Sequence, residues 1–216
     1  MTAGRGAQPA PDGEAVQADD VRPLRADAQR NRTRILEAAE ALLGERGVEV
    51  PVDDVAQRAG VGVGTLYRHF PTKEALLAAV IITRLELLLA EARALADSDE
   101  PGKAFFSFVE SVAAHASRKH DLAEALAAAG VDLHEAAGKA DELKEAAGLL
   151  LRRAQAAGAV RADVEPEELF GLVAGTCMAM EAQGADGRCR KRMLAVVCDG
   201  LRAIAPDAAA GAGRAG

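Results

Sequence analysis

Residues 51–70, PVDDVAQRAGVGVGTLYRHF, constrain the fold more than any other part of this chain. Pro51 suits the first turn of a helix, and Asp53 in that turn complements the helix dipole. The spacing of apolar residues then predicts a short helix ending at Gly60, followed by a second short helix that stops before Pro71. Two short helices joined by a glycine-containing turn are typical of a helix-turn-helix.

The same stretch holds three glycines within five positions, which also raises a phosphate-binding loop or a flexible linker as alternatives. A phosphate-binding loop needs a preceding strand and a terminal Gly-Lys-Ser/Thr, and the sequence has neither. A tight turn also explains the neighbouring residues, because helices that cross closely need a small side chain at the crossing and apolar ones in the angle. The residues expected to build the motif are Ala56, Gly60, Val61, Leu66 and Phe70.

Helical periodicity continues through the rest of the chain. Half of the residues are hydrophobic and only 3% are aromatic; the alanine and leucine that dominate this composition lose little on entering a helix. Apolar residues recur at helical spacing in 35–43, 169–180 and 193–204, and no segment alternates as a strand does. We therefore expect an all-α fold of about nine helices, with a small front unit joined by a long helix to a larger helical body.

The two ends of the chain lack this periodicity. Residues 1–26 and 207–216 are rich in alanine and glycine and are expected to be disordered. Between them we expect a helix-turn-helix domain at 27–74 and a helical body at 75–206. The N-terminus lacks the apolar core of a signal peptide, no apolar stretch is long enough to span a bilayer, and three cysteines argue against a disulfide framework. The cytoplasm is therefore the expected compartment, and no membrane partner is expected.

Charge is distributed unevenly along the chain. The net charge is −7, which does not favour nucleic acid, but ten basic and eight acidic side chains leave residues 21–84 at +2. Arg30, Arg32 and Arg34 lie at the front of the first predicted helix, where the helix dipole disfavours cations. They are either a solvated face or a basic arm that meets an external anion.

Two segments, RTRILEAAEALLGERG and VDDVAQRAGVGVGTLYRHFPTKEALL, resemble the TetR family of transcriptional regulators. The resemblance covers roughly residues 30–80, and its most specific part is the pattern G-T-L-Y-x-H-F-x-x-K-E-x-L. The family often has Ser or Thr where this chain has Gly62, and Thr where it has Pro51. The missing hydroxyl at position 62 removes one possible phosphate contact.

The resemblance implies that the second helix of the motif lies in the major groove of DNA. The residues implied to hold phosphates are Thr65, Tyr67, His69, Lys73 and Arg32, and those implied to face base edges are Val63, Gly64 and Arg68. Hydroxyl, phenol, imidazole and ammonium groups are common phosphate partners, and a guanidinium can read guanine bidentately. A solvated charge remains the alternative for Arg68, and a half-buried core aromatic remains the alternative for Tyr67.

The resemblance also implies that the helical body binds a small-molecule effector. An effector pocket combines apolar walls with a few polar groups; the candidates of that kind are Phe105, Phe108, Val112, His115, Leu122, Leu126, Leu150, Cys177, Met178 and Glu181. Each of them also fits an ordinary helix-bundle core. No partners for a metal ion and no orienting group for a Cys177–histidine pair are evident, so we expect no cofactor, no metal site and no catalytic residue.

Two strongly striped helices, predicted at 166–183 and 189–204, read as an antiparallel pair, and the resemblance implies that such a pair forms the interface of a homodimer. The interface candidates are Leu169, Leu172, Val173, Met193, Val196, Val197 and Leu201. A two-fold dimer would hold its reading helices about 34–36 Å apart, which predicts a near-palindromic operator.

The expected function is a homodimeric, sequence-specific DNA-binding regulator, and specifically a repressor that a small-molecule effector releases from its operator. One alternative keeps the DNA-binding domain in an activator, or in a regulator that answers a protein partner. The other is a helical enzyme or binding protein with a vestigial motif, against which the absence of a catalytic constellation counts.

Overall fold

The computed structural model describes residues 21–116, 126 and 133–203, and within them the chain forms eight α-helices. They are α1 Val21–Arg46, α2 Val52–Ala59, α3 Val63–His69, α4 Lys73–Leu95, α5 Pro101–Ala116, α6 His134–Ala156, α7 Pro166–Ala182 and α8 Gly187–Leu201. The prediction of an all-α fold is confirmed. The remaining predicted helix falls on residues 117–132, of which the structure describes Leu126 alone, as a buried helical residue.

The first helix begins earlier than the sequence predicts. Residues 21–26, expected in the disordered extension, form the start of α1, while residues 1–20 and 207–216 lie outside the described part. Leucine, arginine and alanine in this segment favour a helix, and a proline is tolerated in the first turn. Further along α1, one face carries Ile35, Ala39 and Leu42, which are almost fully buried against α2, α3 and α4.

The long helix α4 joins the front unit to the body. The hydroxyl of Thr72 caps it by accepting a hydrogen bond from the Ala75 backbone N–H at 3.1 Å. Its 23 residues span about 35 Å, and along that length it packs first against α1 and then against α5 and α6. One continuous helix thus contacts both the front unit and the body.

The body packs around α4, α5 and α6. Phe105, Leu150 and Leu151 are at most 2% exposed and form the centre of its core. Backbone hydrogen bonds between 159–161 and 201–203 form one isolated antiparallel bridge, which ties the end of α8 to the end of α6. This bridge ends α8 at Leu201, before the predicted end at residue 204.

Helices α7 and α8 form the predicted pair. A short turn with Gly184 in the left-handed region joins them, and the carboxylate of Asp186 caps α8 by accepting from the Cys189 backbone N–H at 2.7 Å. Among the described helices, none is long and apolar enough to cross a membrane.

Candidate nucleic-acid interface

The turn between α2 and α3 is fixed by backbone geometry at Gly60, which has φ 64° and ψ 38°. Its N–H donates to the Gln57 carbonyl at 3.1 Å, and the Val61 N–H donates to the Ala56 carbonyl at 3.0 Å. These two bonds form a Schellman motif, which needs a left-handed residue that glycine adopts without steric cost. The turn is therefore a rigid corner, and neither a phosphate loop nor a linker.

Helix α1 holds this corner from behind. Arg34 donates from Nη2 to the Gly60 carbonyl at 3.2 Å, and a Cβ added at position 60 would lie 2.5 Å from that same nitrogen. Arg58 of α2 makes a two-pronged ion pair with Glu45 of α1, at 2.8 and 2.9 Å. The orientation of α2 is thus set by polar contacts around the turn and by the buried Val55 and Ala56 beneath it.

Helix α3 has one buried and one exposed face. Leu66 is fully buried and Phe70, just after the helix, is 4% exposed, so both anchor it to the front unit. On the opposite face Val63 is 37% and Tyr67 45% exposed, and Arg68 is exposed beside them. The core alternative for Tyr67 is therefore wrong.

The remaining motif residues are placed around that exposed face. Gly62 is the N-cap of α3 in an extended conformation. Within the described ranges a Cβ at Gly64 would meet nothing within 4 Å, so no atom there requires a glycine at this position. Thr65 and His69 are half-buried at the edges of the face, and Val61 is half-buried against the core.

The cations of this region differ in their partners. Arg68 and Lys73 make no ion pair or hydrogen bond with any residue in the described ranges, so both charges are available to an external anion. Arg32 instead lies over the Phe70 ring, with its guanidinium carbon 5.5 Å from the ring centroid. Arg30 pairs with Asp27 on the exposed side of α1, which reduces the charge of the predicted basic arm.

A cavity of about 180 Å³ lies in the body between α4, α5, α6 and α7. Its lining residues are Ile81, Arg84, Leu85, Leu88, Val112, His115, Ala140, Leu143, Lys144, Phe170, Val173 and Ala174. The walls are mainly apolar, and the charged lining residues, Arg84 and Lys144, are both cations.

The cavity includes few of the predicted pocket residues. Val112 and His115 line it. Phe105, Phe108, Leu126, Leu150 and Cys177 are buried in the core and are absent from its walls, as the core interpretation predicts. Met178 is 47% exposed on the surface of α7, so its assignment to a pocket is wrong. Leu122 and the side chain of Glu181 lie outside the described residues.

The predicted dimer residues divide between the core and the surface. Leu169, Val173 and Leu201 are at most 6% exposed, so their assignment to a dimer interface is wrong: they are buried within their own chain. Met193 and Val197 are half-buried. Leu172 and Val196 are 45% and 68% exposed, and with Met178 they give the α7–α8 pair an apolar outer surface.

Of the polar residues that line the cavity, sequence reasoning identified His115 but missed Lys144 and above all Arg84. The side chain of Arg84 is only 13% exposed although it lies within the long apolar run of α4. The available signal was an arginine two positions after the unbroken apolar segment of residues 75–82 in this helix. Phe170 and Lys144 gave no comparable signal, since each lies at an ordinary position of its helix.

Family models match both halves of the chain. The family described as bacterial regulatory proteins, tetR family, matches residues 35–80, and the C-terminal domain of SbtR-like transcriptional regulators matches residues 100–203. HTH-type transcriptional regulators from Staphylococcus aureus are 40% identical over 75 residues, or 34% of this chain. This chain spans 40% of the length of those curated relatives.

Solved structures match over most of the chain. A TetR transcription regulatory protein from Mycobacterium vanbaalenii is 40% identical, with 83% of this chain and 99% of that protein covered and a TM-score of 0.66. A TetR transcriptional regulator from Streptomyces coelicolor is 30% identical, with 81% and 99% covered and a TM-score of 0.68. The similarity therefore includes both the helix-turn-helix and the helical body.

Proposed function

Since this chain belongs to the TetR family of transcriptional regulators, we propose that it is a homodimeric repressor, which a small-molecule effector releases from a near-palindromic DNA operator. The observation that carries the proposal is the outer face of α3. Val63, Tyr67 and Arg68 project from a helix that the Gly60 corner and the buried Leu66 hold in one orientation. An exposed helix face held this rigidly suits insertion into a major groove.

We assign phosphate contacts and base contacts to different residues of this surface. Tyr67 and Lys73, with Thr65 and His69 at the edges of the exposed face, would contact phosphates that flank the groove. Arg68 is exposed and is the residue we assign to a base edge, where it would favour guanine. Arg32 contributes mainly by supporting Phe70, with any phosphate contact secondary.

The dimer would form through the outer surface of α7 and α8. Leu172, Met178 and Val196 are large apolar side chains exposed on this one pair of helices. Burying them against a second copy would remove apolar surface from water and form a four-helix bundle. The two-fold axis would then set the spacing of the two α3 helices on the operator. A protein that binds the chromosome in this way would act in the cytoplasm.

The effector would act through α4. The cavity lies beside the second half of α4, and the first half of α4 packs against α1 of the front unit. An effector needs only a higher affinity for the conformation that does not fit the operator. An activator with the same DNA-binding surface is distinguished by where its site lies relative to the promoter. The family consists of transcriptional regulators, which favours this function over an enzyme.

Selection of bound duplexes from a random pool, followed by footprinting on DNA that flanks the gene, tests the proposal. We expect a near-palindromic consensus and protection of both half-sites. Tyr67→Ala with Lys73→Ala should weaken binding to every sequence, and the loss of the lysine should flatten the log–log salt slope by about 0.9. Lys103→Ala removes an exposed cation far from α3 and serves as the control. Failure to enrich any duplex at moderate salt would refute DNA-binding regulation.

A further inference from the structure

We propose that the body cavity binds a small apolar monocarboxylate, whose carboxylate contacts Arg84 and thereby weakens the Arg84–Glu40 ion pair between α4 and α1. The ligand class follows from the cavity alone. The consequence for DNA affinity rests on the proposed function, because it requires that the front unit bind an operator.

The size and walls of the cavity limit the ligand's body. A volume of about 180 Å³ is close to that of an engineered cavity of about 150 Å³ that accepts benzene. Ile81, Leu85, Leu88 and Val112 supply apolar wall on α4 and α5, and Phe170 closes it from α7. A single six-membered ring or a short alkyl chain therefore matches the space.

The charge of the lining limits the ligand's polar group. Arg84 and Lys144 are cations, and no aspartate or glutamate is among the lining residues in the described ranges. Lys144 is 58% exposed and pairs with Asp141 at 3.0 Å, so its ammonium lies toward solvent. Arg84 is the inner cation, with 13% of its side chain exposed. A negative group on an apolar ligand would gain most by meeting this guanidinium, since a buried charge needs a partner.

Arg84 has donors to spare for such a group. Its Nε donates to Glu40 Oε1 at 2.9 Å, and its Nη1 makes a long bond of 3.4 Å to the His115 carbonyl. A guanidinium carries five N–H donors, and within the described ranges no residue accepts from Nη2. The edge formed by Nη1 and Nη2 is therefore the part of Arg84 that a carboxylate would approach, and a bidentate contact there would replace only the weak bond.

His115 is a second polar residue in the lining of the cavity. Its Nδ1 lies 2.8 Å from the Ser111 carbonyl, and because a carbonyl only accepts, Nδ1 carries the hydrogen. This bond holds the ring within the lining of the cavity, beside the carbonyl to which Arg84 donates. Arg84 and His115 are thus neighbouring polar side chains in the lining of an otherwise apolar cavity.

Ligand binding at Arg84 would alter the contact between α4 and α1. Glu40 lies on α1, and its bond to Arg84 is the ion pair between α1 and α4 in the part of the chain that the structure describes. A second carboxylate on the same guanidinium repels Glu40, so the ligand and the interhelical pair oppose each other. By linkage, the factor by which the ligand weakens the pair equals the factor by which the intact pair weakens ligand binding, which makes the coupling measurable without DNA.

Titration calorimetry on the full chain with benzoate, and with benzamide as the neutral compound of equal size, tests the ligand class. We expect benzoate to bind at least about tenfold more tightly than benzamide, and Arg84→Gln to weaken benzoate about ten- to hundredfold with little effect on benzamide. Arg84→Lys keeps the positive charge but loses the two parallel N–H donors of the guanidinium. Its affinity for benzoate should therefore lie between those of the parent and of Arg84→Gln. Equal binding of benzoate and benzamide, or no effect of Arg84→Gln on a variant with native far-UV circular dichroism, would overturn the assignment.

Glu40→Gln tests the coupling, because it removes the competing charge while keeping the shape. We expect benzoate to bind this variant about three- to tenfold more tightly than the parent. Benzoate should also accelerate amide hydrogen exchange over residues 35–46 of the parent but not of Glu40→Gln. Unchanged or weaker benzoate binding to Glu40→Gln would overturn the coupling.

Arg93→Gln is the matched control. Arg93 lies on the same helix and pairs with Glu142 of α6 at 3.1 Å, outside the cavity. A hydrogen bond from Lys139, together with the charges of Lys139 and Arg93, lowers the pKa of Glu142, so this pair too is ionised at neutral pH. Its loss should leave benzoate binding unchanged. If benzoate binds as expected but no duplex is enriched, the ligand assignment holds and the repressor proposal fails. Enrichment of a duplex without benzoate binding would overturn the ligand assignment and leave DNA-binding regulation intact.

Discussion

Gly60→Ala gives the sharpest test of how the helix-turn-helix corner is built. The residue has φ 64°, and an L-residue in the left-handed region costs roughly 1–2 kcal/mol. The added Cβ would lie 2.5 Å from Arg34 Nη2, so this side chain must move and give up its bond to the Gly60 carbonyl. Such a bond on an exposed side chain contributes about 0.5 kcal/mol, the low end of the usual range.

Alanine also restricts the unfolded chain, which offsets roughly 0.5 kcal/mol of this loss. We therefore expect Gly60→Ala to lower the free energy of unfolding by about 1–2 kcal/mol, and the Tm by about 2–8 °C for a chain of this size. Urea unfolding followed by far-UV circular dichroism, at one fixed protein concentration, measures the change. DNA affinity should fall as well, because α3 is no longer held at its angle to α2.

Gly64→Ala is the matched control, four residues away in the same motif. Position 64 lies in the first turn of α3, and a Cβ there would meet nothing within 4 Å. Alanine favours a helix over glycine, so this variant should be as stable as the parent or more stable by up to about 1 kcal/mol. A loss of DNA affinity in this stable variant would mean that the glycine serves close approach to DNA. If Gly60→Ala and Gly64→Ala were equally stable, the left-handed conformation at position 60 would not be the reason for the glycine there.

Thr72→Ala should lower the free energy of unfolding by about 1 kcal/mol, because it removes the cap that accepts from the Ala75 N–H, while Thr72→Ser should retain most of it; equal melting of both variants would contradict the capping role. Val196→Asp should convert the proposed dimer to a monomer in analytical ultracentrifugation without changing its far-UV spectrum, and a dimer that persists would exclude this surface as its interface. Arg68→Ala should cost about 1–3 kcal/mol on the selected operator and relax the preference at one base pair, whereas an equal loss on every duplex would assign Arg68 to phosphate.

The helix-turn-helix could be predicted closely from sequence because its signals are local. Gly60 at the end of α2, Pro71 after α3 and Thr72 before α4 each act through their own backbone or the next turn, and all three are found in those roles. The start of α1 was less predictable, since residues 21–26 carry no apolar period although their propensity permits a helix.

In the helical body, the sequence predicted the positions of the helices but not the roles of their apolar residues. Periodicity located α7 and α8 to within a few residues. It could not distinguish the apolar residues that are buried in the chain from those that stay exposed. Val173 is buried beside the cavity, whereas its neighbour Leu172 and also Met178 are exposed. All three belong to one broad apolar stretch, and their different roles depend on which helices pack against α7.

By itself the sequence determined that the chain is helical, where most of its helices begin and end, and which short helix follows the glycine turn, because caps, glycine turns and helical periodicity act within a few residues. The tertiary structure alone decided that Arg84 meets Glu40 across 44 positions, that a mainly apolar cavity lined in part by Arg84 opens between α4, α5, α6 and α7, and which apolar residues stay at the surface. These features arise where helices distant in sequence pack together, and no local periodicity specifies which side chains then become neighbours.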